Sequence, residues 1–515
     1  MRAWVGAAAG AILLSGFVTT AAAAVTPLDG VQRVSQGDPF ASCTLGGDGT
    51  GVNYPGAEVE PDVSVDPHDP GRVIGVFQQD RWSDGAARGI SAVYSVNGRD
   101  FHETPLPFSA CAPGGLSLYA RASDPWVSFG PDGTAYAAAL GDDPARNATG
   151  VAAATSYNGG RTWQHVTDII DDPSAEFGDD KTSVTADPVR IGTAYVVWDR
   201  LDFGPNGDGS KFTGPGMLSV THDFGRTWSQ PQVMVNTALN QQTLGNIIVG
   251  DPRTGRLYDF FDLLTFTDPT ATTLVSANES VVRSDDGGRT WSSPVTVTPD
   301  TSAADTDPNN GDALRTGAGL PSVAIDPRTG ELYLAAEGTD FNGGAYDQIK
   351  LVHSTDGGRT WSAPVRVNGA PQALAFTPTV AVSGDGVVGV TYYDIRTLQP
   401  GNTTTLPTST WLATSPRGGE HFTERQIAAP FDLLSAPNAG GFFVGDYEGL
   451  SPDGSGFRPL FVEANSGQPA NPTDAFTGWF PATASGHGQS PTASPVANAH
   501  PAKTHEGVTH GERRF

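Results

Sequence analysis

Three apolar runs in this chain end on an aspartate with an arginine beside or near it: QDR at Asp80 and Arg81, WDR at Asp199 and Arg200, and YDIR at Asp394 and Arg396. A guanidinium grips a carboxylate through two parallel N–H···O bonds, so Arg81, Arg200 and Arg396 together could hold an acidic ligand. The same residues could equally form a repeated structural salt bridge, each arginine pairing with its own aspartate. A second set is purely acidic: Glu60, Asp62, Asp124, Asp180 and Glu448, the last preceded by Tyr447. Two carboxyl groups flanking a sugar bond, one giving a proton and the other acting as base or nucleophile, are the minimum for glycoside hydrolysis. Acidic groups gathered at one place could also bind Ca2+ through their oxygens, while no other cofactor is called for. Tyr447 and Glu448 are neighbours, so on a strand they point to opposite sides, and cooperation needs an irregular backbone or a partner from another sheet. The chain has no Gly-x-Ser-x-Gly elbow, no His-Glu-x-x-His zinc site and no phosphate loop. His68, His102 and His165 are isolated.

These residues lie at the ends of a repeated element. Seven segments, starting near Pro61, Pro125, Thr182, Asn246, Pro321, Pro378 and Asp446, each alternate apolar and other residues, pass through a turn rich in Asp, Pro and Gly, and alternate again. That is the signature of a β-hairpin, strands A and B. In an antiparallel hairpin the start of A meets the end of B, so the acidic set and the Asp–Arg pairs fall on one face. A second repeat follows the hairpins. SDDGGRTW at Ser284 returns as STDGGRTW at Ser354, with looser copies THDFGRTW at Thr221 and SYNGGRTW at Ser156 and decayed ones at Ser95 and Ser415. Successive copies are 61 to 70 residues apart, the mark of an array of similar units. The Asp or Asn accepts from the turn's own N–H groups, glycine supplies a positive φ, and the Trp closes the turn between two further strands, C and D, as a wedge between packed layers.

The S-x-D-x-G-x-T-W turn resembles the Asp-box, or BNR repeat, of the sialidase superfamily of β-propellers. The resemblance spans most of Val31 to Phe480 and implies an all-β fold: a single β-propeller of four-stranded blades with Asp-box turns between strands C and D, on the face away from the active site. Hairpin count favours seven blades over the six of sialidases, with Val31–Ser35 (VQRVS) supplying the missing D strand to the last sheet, whose C strand is Asp474–Phe480. Sialidases hold their substrate's carboxylate with three arginines and use a Tyr nucleophile activated by a Glu, with an Asp as acid/base; Tyr447, Glu448 and the three arginines are the matching residue types here. The chain departs from the family where a Phe or Tyr, Arg, Ile, Pro motif is usual, reading Glu60, Pro61, Asp62, Val63. Two functions are therefore carried forward: a sialidase-like glycoside hydrolase acting on extracellular glycans, and a noncatalytic propeller that binds a glycan or a protein.

Composition sets the compartment. Met1–Ala24 reads as a secretory signal peptide, with Arg2 before an apolar run and alanines at the cleavage region. The mature product is expected to be secreted, unanchored in a membrane and monomeric, with the propeller over 25–480. Cys43 and Cys111 are expected to pair in that oxidising setting. A net charge of −26 opposes binding to nucleic acid, so the expected partner is an extracellular glycan or glycoprotein. With 64 glycines and 40 prolines the composition suits short strands and turns. From Pro481 to Phe515 the pattern gives way to Pro, Ala, Ser, Gly and His, which reads as a flexible tail; His487, His500, His505 and His510 lack regular metal-ligand spacing.

Overall fold

The computed structural model describes residues 30–482 apart from 48, 49, 117 and 417, so the expected signal peptide and the tail histidines lie outside the described residues. All seven hairpins form as antiparallel pairs. They are Glu58–Asp66 with Asp69–Arg81, Arg121–Phe129 with Ala135–Asp143, Phe177–Ala186 with Ala194–Asp202, and Gln241–Gly250 with Leu257–Phe266. The others are Ser322–Ile325 with Leu332–Gly338, Ala375–Val382 with Val388–Asp394, and Gly449–Asp453 with Gly456–Ala464. Each hairpin continues outward into a third strand and each third strand into a fourth. The first strands pack on one another in chain order, and Gly449–Asp453 returns to Glu58–Asp66, which closes the ring of a β-propeller.

Closure uses the N-terminus. Val31–Arg33 pairs antiparallel with Thr473–Gly478, and beyond the strand the Ser35 hydroxyl donates to Asp474 Oδ1 at 3.0 Å. Phe480–Pro481 adds to the edge of Gly456–Ala464, so Pro481 and Ala482 belong to the fold and the boundary expected at residue 481 moves outward by two. The physical gain is the removal of two open sheet edges.

The first strands also face a problem that the sequence solves by alternation. Being the inner edges of their sheets, they have backbone groups with no ladder partner. Hydroxyl residues between the apolar ones reach across the gaps: Ser64 Oγ accepts from Phe129 N at 3.1 Å, Ser128 Oγ from Ala186 N at 3.0 Å, and Ser322 Oγ from Val380 N at 2.9 Å. Thr185 donates to Ile248 O and Thr379 to Glu448 O, both at 2.7 Å.

At the opposite face the Asp-box turns are built alike. Ser284 Oγ accepts from Gly288 N at 2.9 Å and donates to Asp286 Oδ1 at 2.9 Å, while Asp286 accepts from Thr290 N at 2.9 Å and Thr290 Oγ1 at 2.7 Å. Ser354, Asp356, Gly358 and Thr360 repeat the set, as do Thr221, Asp223, Gly225 and Thr227. Each box Trp is half-buried against the core of the preceding sheet, Trp291 beside Tyr195 and Leu218 and Trp361 beside Tyr258 and Phe260.

Cys43 and Cys111 form a disulfide across a separation of 68 residues. A Cys43→Ser, Cys111→Ser double variant is expected to lose up to roughly 4 kcal/mol under the chain-entropy account. The check is the urea midpoint by circular dichroism; an unmoved midpoint would show that the crosslink adds nothing to stability.

Candidate functional site

A cavity of about 320 Å3 lies on the axis, lined by residues of the first strands. Its polar lining comes from a recurrent irregularity. Five hairpins shift register at the start of the first strand, between Val59 and Asp62, Ser123 and Trp126, Asp180 and Ser183, Leu244 and Ile247, and Phe376 and Thr379. The bulged residue takes a positive φ each time: Glu60 at 52°, Asp124 at 49°, Lys181 at 48°, Gly245 at 70° and Thr377 at 52°. For a residue with a side chain that conformation costs on the order of 1–3 kcal/mol, and it persists where surrounding structure enforces it. Here it turns Glu60, Asp124 and Lys181 toward one another.

Lys181 is the hub. Its Nζ lies 2.6 Å from Asp446 Oδ2, 3.6 Å from Asp124 Oδ2 and 3.9 Å from Glu60 Oε1. Arg315 grips Asp446 from another side through two bonds of 2.8 and 2.6 Å, and its guanidinium lies over the Phe443 ring at 4.5 Å. Gln78 joins the remaining members: it donates to Glu60 and, at 3.0 Å, to Ser123 Oγ, accepts from Arg81 Nη1 at 2.9 Å, and Ser123 donates to Asp124 Oδ1 at 2.7 Å. Burial would raise the Asp446 carboxyl, but Arg315 and Lys181 outweigh it and hold it well below the usual range. Glu60 goes the other way: burial, then the charge of Asp124, push it well above. Asp62 lines the cavity and accepts from Val127 N at 2.9 Å; burial pushes it up to about 7.

Glu60, Asp62, Asp124 and Tyr447 are therefore brought together. Asp180 and Glu448 are placed differently. Asp180 is half-buried, accepts from Lys181 N at 2.9 Å and lies outside the cavity lining. Glu448 is among the cavity-lining residues, and its carboxyl sits beside the Thr391 and Tyr393 hydroxyls, where burial pushes it up to about 8. Tyr447 donates to Pro125 O at 3.2 Å and packs on Trp126 at 5.2 Å; burial and the charges of Glu60 and Asp124 push its phenol well above its usual value, the reverse of what a tyrosine nucleophile needs.

The arginine cluster needs correction. Arg200 is held by Asp172 through bonds of 2.7 and 2.8 Å with its guanidinium 3.8 Å from the Phe177 ring centre, and Arg396 is clamped by Asp394, Glu424 and the Trp411 ring. Both are tied up locally by charge pairing and stacking, so they do not converge with Arg81, which alone of the three joins the axial network. Nor do all three pair with their own aspartates: Asp80 is engaged by Arg88 at 3.1 Å, and Asp199 accepts from Thr243 Oγ1 and Gly245 N. Sequence reasoning missed Arg315, which lies in the connection between a box and the next hairpin, where no repeat marks it. A Ca2+ ion at the Glu60 and Asp124 cluster also meets an obstacle, since the Lys181 ammonium already supplies the positive charge there.

Removing that charge should be costly. Lys181→Met leaves buried carboxylates uncompensated and is expected to cost about 3–5 kcal/mol by chemical denaturation; a loss under about 1 kcal/mol would mean the cluster is solvated. Raised carboxyls also set a pH trend. The folded state keeps protons on Asp62 and Asp179 to about 7 and on Glu448 and Glu463 to about 8, all through burial, whereas the unfolded chain releases them near its ordinary range. Folding then binds protons, so their stabilising contribution is full below about pH 4 and is lost as pH rises toward 8. The melting temperature should be lower at pH 8 than at pH 5.5, and the opposite order would contradict these assignments.

Residues 280–433 match the family model of the BNR repeat-like domain, and no curated protein matches the chain. Among solved structures, the Hadza microbial sialidase Hz136 is 16% identical over 77% of this chain and 74% of its own, with a TM-score of 0.44. The Penicillium chrysogenum alpha-L-arabinanase, complexed with arabinobiose, is 13% identical over 71% and 94%, with a TM-score of 0.46. The leech intramolecular trans-sialidase is 12% identical over 83% and 92%, with a TM-score of 0.41. The BNR repeat-like match covers residues 280–433, and the closed ring of antiparallel sheets carrying Asp-box turns is the fold of a β-propeller.

Proposed function

We propose that the protein is a secreted glycoside hydrolase that binds a terminal sugar of an extracellular glycan in the axial cavity, on a propeller of seven blades. The observation that carries this reading is Asp62, a cavity-lining carboxyl held protonated to about pH 7 by burial, with Asp124 in the same lining. Asp124 Oδ2 has no hydrogen-bond donor of its own and looks to the Lys181 ammonium 3.6 Å away. A proton donor and a second carboxylate in one concave site are the components of acid-assisted glycoside cleavage. Asp62 is assigned as the acid and Asp124 as its partner carboxylate, which replaces the Tyr447 and Glu448 pair that the resemblance implied. With Arg200 and Arg396 engaged elsewhere, a neutral sugar suits the cavity better than a sialic acid. The Cys43–Cys111 bond is in keeping with an oxidising compartment outside the cell.

The second reading, a glycan-binding propeller without catalysis, is favoured by one specific feature: Glu60, Asp124 and Asp446 all face a lysine that could hold them as a structural cluster. A panel of fluorogenic glycosides, including arabinosides and a sialoside, separates the two. Hydrolysis of a neutral glycoside is expected, with kcat/KM falling as pH rises through about 7 as the Asp62 proton is lost. Asp62→Asn should lower kcat by on the order of 100-fold or more and remove that alkaline limb. Retention on a glycan array with no product from any glycoside would replace the hydrolase reading with the binding one.

A further inference from the structure

Away from the axis, three buried carboxyl groups meet at Asp305, Glu337 and Asp347, with a ligand oxygen of each within 4.8 Å of the others. We propose that these three side chains form a binding site for a calcium ion that pins the 300–317 connection to the neighbouring hairpin. The site is independent of the hydrolase reading and stands apart from the Lys181 cluster.

Geometry carries the inference. Oxygens up to 4.8 Å apart can share one cation whose oxygen contacts are about 2.3–2.6 Å, the range of Ca2+. The donors around the carboxylates orient them without adding positive charge: Ala303 N binds both Asp347 oxygens at 3.0 and 2.9 Å, while Glu337 accepts from Thr377 N at 2.7 Å and Thr316 Oγ1 at 2.9 Å. Such backbone bonds to ligand carboxylates are the usual second layer of a metal site. Asp305 is more than nine-tenths buried and accepts from Asp347 N through Oδ1 at 3.4 Å, which leaves Oδ2 with no hydrogen-bond donor. The surroundings add to it. Asp262 and Glu279, fully buried partners across adjacent strands, have no donor on any of their four carboxylate oxygens, and the charge of Asp300 acts on both of them as well as on Glu337 and Asp347. Lys350, whose charge acts on Asp347, is engaged by Pro299 O at 2.8 Å, Thr301 Oγ1 at 3.3 Å and Asp340 at 3.3 Å.

The consequence reaches the axis. Glu337 accepts from Thr316, the next residue is Arg315, and Arg315 grips Asp446, which in turn holds Lys181. A cation at the three carboxylates thus anchors the segment that delivers Arg315 to Asp446.

The test uses the whole chain, stripped with a chelator and titrated with calcium chloride, with magnesium chloride as a comparison. Wild type is expected to take up one calcium per chain by elemental analysis at this site and to gain a melting temperature several degrees higher at pH 8, with magnesium giving less. Asp305→Asn, Glu337→Gln and Asp347→Asn, made separately so that a variant that fails to fold leaves the others, should each weaken calcium binding at least tenfold by calorimetry. In chelator, these variants should melt no lower than wild type, because each replaces one of three crowded, buried carboxyl groups with an amide that cannot ionise. Glu60→Gln, at the Lys181 cluster, should keep the calcium response. No calcium uptake by wild type, or unchanged uptake in the folded ligand variants, would overturn the proposal.

Discussion

Pairing of Val31–Arg33 with Thr473–Gly478 is the constraint on which the other features rest. An open stack of these sheets would leave two unpaired edges and no axis. Once the last sheet borrows its outer strand from the N-terminus, the first strands of all the hairpins must face a common centre, and residues as far apart as Glu60 and Asp446 become neighbours. The Ser35 and Arg33 bonds to Asp474 reinforce the same seam. Closure also explains the alternating hydroxyls: with strands converging on an axis, a ladder between first strands is geometrically denied, and side-chain oxygens take its place.

Convergence has an electrostatic cost that the structure meets in two ways. At the axis, backbone bulges with positive φ aim two acids and a lysine at each other, so that the ammonium and two guanidinium groups offset the carboxylates. Asp62, close by but outside this pairing, keeps its proton instead. In the Asp262, Glu279 and Asp305 region, acids are just as deeply buried, yet cationic side chains are scarce there. The two solutions differ because a lysine or arginine must be supplied by a strand or connection that happens to pass the spot, and only the axial cluster receives three.

The arginines show how local packing decides what a residue can do. Arg81, Arg200 and Arg396 end the same kind of strand, but Asp172 and Phe177 take Arg200, and Asp394, Glu424 and Trp411 take Arg396. These partners hold Arg200 and Arg396 at their own sheets and away from the axis. Arg315, from an irregular connection, binds Asp446 at the axis, where Arg200 and Arg396 do not reach.

Much of the fold was legible in the sequence because it is local and repeated. Period-two alternation marks each hairpin, the S-x-D-x-G-x-T-W turn closes on its own backbone within eight residues, and VQRVS carries enough strand character to be recognised as the closing piece. The grouping of Glu60, Asp62, Asp124 and Tyr447 on one face also follows from antiparallel pairing. What chain order could not settle is which side chains meet across the axis. That depended on bulges that rotate single residues, on a lysine flanked in sequence by acids yet paired with ones from distant strands, and on Arg315 entering from a connection without a repeat. Alternation is a property of neighbours along the chain, whereas the site is made of contacts between sheets, and only the closed ring determines those.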